Sequence, residues 1–215
     1  MESIRALAFF FKVPEKGKVK TRLSKVIGKG LALKIYQWLL RSTIEKVEAL
    51  EGVDLYAFYM GNFSAKVLKY FHVKRKWRFI PQVGKNLGER LKYAGAFLFS
   101  IGYKEVLYIG ADSPYIDKLY LSEAFTKLQS YPLVFGPAYD GGYVLVGLRA
   151  DFKEYLSLLF DGLPYGSAYL LDQTLQRFSE TSYCLLPPLG DIDTFMDFLK
   201  YLLYLCKRSK ATTSI

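Results

Sequence analysis

Apolar residues follow two periods along this chain. Short runs rich in β-branched and aromatic residues, bounded by Gly or Pro, occupy residues 4–11, 53–60, 77–80, 106–109, 133–135 and 143–148 and predict strands. Between them, Leu31, Ile35, Trp38 and Leu39 mark one face of a helix. Residues 87–99 and 119–128 look similar, and Phe195, Phe198, Leu199 and Leu202 repeat the spacing near the C-terminus. This alternation predicts an α/β fold of three layers, α/β/α, on a mainly parallel sheet. Ligands of such sheets bind beyond the carboxyl ends of the strands, so polar, acidic or Gly-rich residues are expected to gather there. No repeat or Pro/Ser-rich linker divides the chain, which predicts a single domain over residues 1–206. The polar, aperiodic residues 207–215 are expected to fray.

Composition narrows the classes. With 215 residues and 51% hydrophobic content, general disorder is excluded. The apolar runs fall well short of the roughly 20 residues that span a bilayer, and no small-residue cleavage site follows the first one, so a soluble, cytoplasmic protein is expected. Cys184 and Cys206 lack metal-ligand spacing and read as reduced core thiols. A single histidine, His72, argues against a zinc site or a Ser-His-Asp triad. A net charge of +10 favours anionic partners, and it concentrates in residues 12–29, 74–78 and 207–210. The aromatics sit inside apolar runs rather than among exposed lysines, which argues against nucleic acid.

Four stretches after the predicted strands carry candidate chemistry. Residues 12–23 include Lys12, Gly17, Lys18, Lys20, Thr21 and Arg22, a glycine-containing basic loop able to surround phosphate oxygens with N–H groups and cations. It lacks the G-x-x-x-x-G-K-[ST] spacing of a P-loop. Residues 110–114 present Asp112 after a glycine, where a carboxylate can hold a divalent cation, though a helix cap or simple turn fits as well. Asp191 and Asp193 fall on one side of an extended segment before the last helix, so one can cap while the other faces a metal. Together Asp112 and Asp193 would make a Mg²⁺ site that keeps several waters. Residues 136–143, with Asp140, Gly141, Gly142 and Tyr143, read either as a tight hairpin or as a close approach of backbone to substrate. Gln82, Gly88 and Arg90 lie in a loop suited to a base or a second substrate.

These stretches resemble the GT-A-like transferase family known as DUF2064, also described as radical-SAM/selenodomain-associated and glycosyltransferase-like. Its pattern F-x-K-x-P-x-x-G-x-V-K-T-R-L corresponds to residues 10–23, and G-x-D-x-P to residues 110–114. G-P-A-x-D-G-G-Y-x-L-x-G corresponds to residues 136–147, D-I-D-T to 191–194, and Q-x-G-x-x-L-G-E-R to 82–90. More broadly the chain is similar to the nucleotide-diphospho-sugar transferase superfamily, including phospholactate and molybdenum-cofactor guanylyltransferases. The resemblance implies triphosphate contacts from Lys20 and Arg22, a Mg²⁺ or Mn²⁺ ligand at Asp112, and a second at Asp193. The chain departs from the G-x-G opening of many sugar nucleotidyltransferases. Where glycosyltransferases of this fold carry Asp-x-Asp, it has Asp112, Ser113 and Pro114, which is closer to the nucleotidyltransferase pattern.

The expected activity is therefore Mg²⁺-dependent transfer of an NMP from an NTP to a phosphorylated small-molecule acceptor, with release of pyrophosphate. Transfer of a sugar from a nucleotide-diphospho-sugar is the alternative, with Asp140 at the sugar or the acceptor's proton. A non-catalytic basic protein binding nucleic acid or an acidic surface is the third reading.

Overall fold

The structure is a computed structural model that describes residues 4–71 and 76–212. His72 and the Lys74 and Arg75 part of the second basic cluster lie outside the described residues. Seven strands, β1 (Arg5–Lys12), β2 (Asp54–Met60), β3 (Trp77–Pro81), β4 (Glu105–Gly110), β5 (Leu133–Pro137), β6 (Tyr143–Arg149) and β7 (Tyr183–Leu185), form one sheet in the order β3-β2-β1-β4-β6-β5-β7. β1 pairs in parallel with both β2 and β4, β2 with β3, and β5 with β7. β6 is antiparallel to β4 and β5, because the 136–143 stretch is a hairpin connection.

The helices are α1 (Thr21–Glu48), α2 (Ala65–Leu68), α3 (Leu87–Ser100), α4 (Lys118–Leu128), α5 (Leu156–Phe160), α6 (Leu170–Gln176) and α7 (Phe195–Thr212). Alternation along β1 divides its side chains between the two sheet faces. Leu7, Phe9 and Phe11 pack with Tyr36, Leu40 and Ile44 of α1 and Leu121 and Phe125 of α4. Ala6, Ala8 and Phe10 join Leu91, Ala94 and Leu98 of α3 and Leu159 and Phe160 of α5. The sheet thus lies between two helical layers, as the alternation predicts.

Three details differ from the sequence reading. The buried face of α1 runs through Ala32, Ile35, Tyr36, Leu39, Leu40 and Ile44, while Leu31 and Trp38 are exposed. A break at Gly28, where φ is 80°, resets the helix phase just before this face. Cys206 is exposed on α7 rather than in the core. That helix also continues to Thr212, into the segment expected to fray.

α7 begins with a reciprocal cap. Thr194 Oγ1 accepts from Asp197 N at 3.3 Å, and Asp197 Oδ2 accepts from Thr194 N at 2.7 Å. Asp117 caps α4 by accepting from Tyr120 N at 3.0 Å. Capping at these two ends is therefore done by Thr194 and Asp117, which leaves Asp112 and Asp193 without that task.

Candidate functional site

β1 and β4 end side by side, where the strand order reverses direction from β1 outward. Beyond β4, Asp112 O accepts from Ile192 N at 3.1 Å, and Ser113 Oγ donates to Gly190 O at 2.9 Å. These bonds tie the 189–193 segment to the end of the central strand. Ile192 is fully buried among Leu23, Leu39 and Tyr201. With Ile192 turned inward, alternation turns Asp191 and Asp193 outward.

Lys20 meets both carboxylates. Its ammonium lies 2.9 Å from Asp112 Oδ1 and 3.2 Å from Asp193 Oδ1, and it donates a third hydrogen bond to Ile192 O. All three donors of the ammonium are thereby used. The Lys20 side chain is only 3% exposed. Burial opposes its charge, but Asp112 and Asp193 outweigh that opposition and raise its pKa above the ordinary lysine value. Lys20 is also the sole non-glycine residue with positive φ among those described, at 46°, directly before α1. Such strain persists only where the surroundings over-determine it, here through the three acceptors. Arg22 reaches Asp193 Oδ2 at 3.5 Å and is largely exposed.

Two adjoining clefts meet at this point. One, of about 540 Å³, is lined by Lys12, Lys20, Thr21, Arg22, Gln82 and Arg90, with Tyr36, Asp112 and Asp193. The other, of about 280 Å³, is lined by Asp140, Gly142, Tyr143, Tyr165, Asp191 and Leu170, again with Asp112 and Asp193. Most of the candidate residues are thus brought to one place. Gly17, Lys18, Gly88 and Gly141 are not among the lining residues. Gly17 turns the loop at φ 81°, and Lys18 pairs with Glu15 at 2.6 Å. At Gly88, an added Cβ would lie 2.1 Å from Phe160 O, so this glycine serves the packing of α3 on α5.

The glycines of the hairpin have a similar explanation. Gly141 has φ 88°, and a Cβ there would lie 2.0 Å from Ala168 O. The close backbone approach expected toward a substrate is thus made to the chain's own backbone. Asp140 Oδ1 accepts from Gly142 N at 3.0 Å, which sets the turn while keeping the carboxylate on the cleft wall. Gln82 donates to Phe11 O at 3.3 Å and Phe58 O at 3.0 Å, so its amide hydrogens bind strand ends.

Burial, followed by the charges of Asp140 and Asp193, pushes the Asp191 carboxyl up to about 6 against the pull of Lys20. Burial pushes the Tyr143 phenol up to about 12, so it stays neutral.

The sequence reading passed over Tyr36, whose hydroxyl accepts from Lys12 N at 3.0 Å and donates to Lys12 O at 2.8 Å, fixing the end of β1. A tyrosine on the buried face of α1 was its only trace. It also passed over Tyr165 and Gly166, which line both clefts from an irregular segment. Asp197 likewise escaped notice, although it holds the backbone of Asp193 and Thr194. The T-x-x-D spacing at Thr194 was a legible signal for that cap.

Two hard-oxygen carboxylates converging on one cationic point suit a divalent ion that keeps water ligands. Among the described residues there is no group of three or more His, Cys, Asp or Glu arranged to hold a metal. Asp112 and Asp193 therefore fit Mg²⁺ or Mn²⁺ only with further oxygens from water or phosphate.

The sheet order, the layers and the cleft position define an α/β protein of the nucleotide-diphospho-sugar transferase type, a class borne out by structural comparison. The structure superposes with TM-score 0.83 on a protein of Desulfovibrio desulfuricans G20 provisionally assigned as a nucleotide-diphospho-sugar transferase, at 32% identity over 91% of this chain and 85% of that one. Residues 43–167 match the family described as "Uncharacterized protein conserved in bacteria (DUF2064)", and the chain belongs to that family. A curated relative, 2-phospho-L-lactate guanylyltransferase of Methanocaldococcus jannaschii, is 26% identical over 147 residues, 68% of this chain. The match spans about three-fifths of that relative, 61% of its length. The Rv0371c protein of Mycobacterium tuberculosis H37Rv, solved in complex with manganese, shares the fold at TM-score 0.53 and 12% identity, over 91% of this chain and 97% of that one. The guanylyltransferase and the Desulfovibrio protein thus carry nucleotidyl- and nucleotide-sugar-transferase assignments respectively. No helix among the described residues is long and apolar enough to cross a membrane.

Proposed function

We propose that the protein is a nucleotidyltransferase, moving an NMP from an NTP to a small-molecule acceptor. The observation that carries this reading is the Lys20 ammonium seated between Asp112 and Asp193 at the junction of a cation-lined and a second cleft. The guanylyltransferase relative supports it. The NTP takes the larger cleft, where Lys12, Arg22 and Arg90 meet its phosphates. Lys20, with its donors already engaged, acts as the inner counter-ion of the two carboxylates rather than as the outermost phosphate clamp expected from sequence.

The nucleophilic atom of an acceptor in the second cleft bonds to the α-phosphorus as the bond to the bridging oxygen breaks. Pyrophosphate leaves with the electron pair, and Arg22 and Lys12 balance its charge. Asp140, on the second cleft's wall, takes any proton the acceptor releases. Mg²⁺ or Mn²⁺ held by Asp112 and Asp193 would supply charge neutralisation on the phosphate oxygens. Residues from β1, α1 and β4 orient the two substrates for in-line displacement.

Glycosyl transfer from a sugar nucleotide is the second reading, favoured by the assignment of the 32% identical Desulfovibrio protein. Incubation with each NTP, divalent ion and an acceptor panel separates the two. Pyrophosphate release supports nucleotidyl transfer, whereas a nucleoside diphosphate or monophosphate released from a sugar nucleotide overturns it. Asp112→Asn should abolish metal-dependent turnover while keeping the native circular dichroism spectrum.

A further inference from the structure

The two clefts differ in the sign of their charge. The larger one carries Lys12, Arg22 and Arg90 besides Lys20. The 280 Å³ cleft has Asp112, Asp140, Asp191 and Asp193 on its walls and, among the described residues that line it, no Lys, Arg or His. Asp112 and Asp193 share the Lys20 ammonium. Asp140 and Asp191 are in no ion pair among the described residues, and Asp140 spends one oxygen on Gly142 N. The rest of the cleft is largely apolar, including Tyr143, Tyr165 and Leu170.

We infer that this cleft takes an acceptor without a phosphate group: a neutral or cationic molecule with an apolar body, held through hydroxyl or ammonium groups by Asp140 and Asp191. The inference rests on the reading of the neighbouring cleft as the nucleotide site. It replaces the phosphorylated acceptor expected from sequence. A phosphate monoester would bring about two negative charges toward Asp140 and Asp191, on a wall with no Lys, Arg or His among its described lining residues. A hydroxyl or ammonium donor instead satisfies carboxylate oxygens of Asp140 and Asp191, which are in no ion pair among the described residues. The net charge of +10 misleads here, because none of the cleft's lining residues is basic.

The test uses two fragments that share a ring and differ in charge, phenethylamine and phenyl phosphate, titrated into the ¹⁵N-labelled full chain. Phenethylamine should shift the amides of Gly142, Ser167 and Asp191. Phenyl phosphate should shift those of Thr21 and Arg22, and reach Gly142 only at a concentration at least about tenfold higher. In the Asp140→Asn, Asp191→Asn double variant the preference for the amine at Gly142 should fall by about tenfold or more. Asp140→Asn alone is the companion variant, since its amide oxygen still accepts from Gly142 N. Equal occupation of the Gly142 side by phenyl phosphate, no response there to the amine, or an undiminished preference in the variants would each overturn the inference. A separate titration with the four NTPs and Mg²⁺ scores the nucleotide reading. If no NTP moves the Thr21 and Arg22 amides, that reading fails, while the fragment preference still reports on the second cleft.

Discussion

The Lys20 ammonium lies 2.9 Å from Asp112 Oδ1, so the basic loop after β1 and the acidic turn after β4 form one electrostatic unit. Asp193 completes it from a segment more than 170 positions away in sequence. A cation already occupies the point that a divalent ion would need.

Replacing that cation should therefore change how the protein responds to metal. In Lys20→Met, Asp112 and Asp193 lose their shared partner, and stability in EDTA should drop by about 1–3 kcal/mol. Mn²⁺ should then raise the melting temperature of the variant by more than it raises that of the parent, because no ammonium competes. An equal or smaller Mn²⁺ shift would remove the carboxylate pair as a metal site.

Arg22 tests the phosphate side. It is largely exposed, and its one ion pair among the described residues is with Asp193 at 3.5 Å, so Arg22→Ala should change stability by less than about 0.5 kcal/mol. Triphosphate binding should weaken by about tenfold and monophosphate binding by much less, since the proposed function turns the guanidinium toward the outer phosphates. Calorimetry showing equal losses for both would count against that placement.

Much of this arrangement was legible before any coordinates. The runs that predict strands coincide with β1 to β6 to within a residue or two at each end, because strands buried on both faces are continuous apolar stretches. Asp112 stood out because it follows a glycine at the end of an apolar strand run, and Asp193 because it shares one side of an extended segment with Asp191 before the last helix. The ion pair to Lys20 was not legible, since it joins residues that only the fold brings near. Nor was the separation of Asp191 from Asp193. Both lie on one side of an extended segment, yet Asp193 reaches Lys20 while Asp191 lines the second cleft. α5 and α6 escaped for a different reason: at five and seven residues they are too short for periodicity to declare itself.

Asp191 should leave a mark on the pH dependence of stability. Its carboxyl keeps a proton up to about 6 in the folded protein and, once unfolded, only to the ordinary value of 3.8. Between these values the native state binds more protons, so stability is full below about pH 4 and declines as pH rises through 6. Because the group is partly exposed, screening limits the loss to about 1 kcal/mol. Asp191→Asn in EDTA should recover that amount at pH 7.5 and gain nothing at pH 4. A gain of the same size at both pH values in urea unfolding would show that titration is not its source.

Gly141 separates a packing role from a ligand role. Its φ of 88° disfavours any side chain, and a Cβ would sit 2.0 Å from Ala168 O, far inside contact distance. The neighbour is backbone, further fixed by the bond from Leu171 N to Gly141 O at 2.9 Å, so it cannot swing aside. Gly141→Ala should therefore destabilise the protein by about 2–4 kcal/mol with or without nucleotide. Gly166→Ala is the control: its φ of 82° imposes a similar backbone penalty, but nothing lies within 4 Å of the added Cβ. If the steric clash at Ala168 dominates, Gly141→Ala must cost clearly more than Gly166→Ala. Equal costs would mean that backbone conformation alone, and not the docking of the hairpin on the 168 segment, holds Asp140 at the cleft wall.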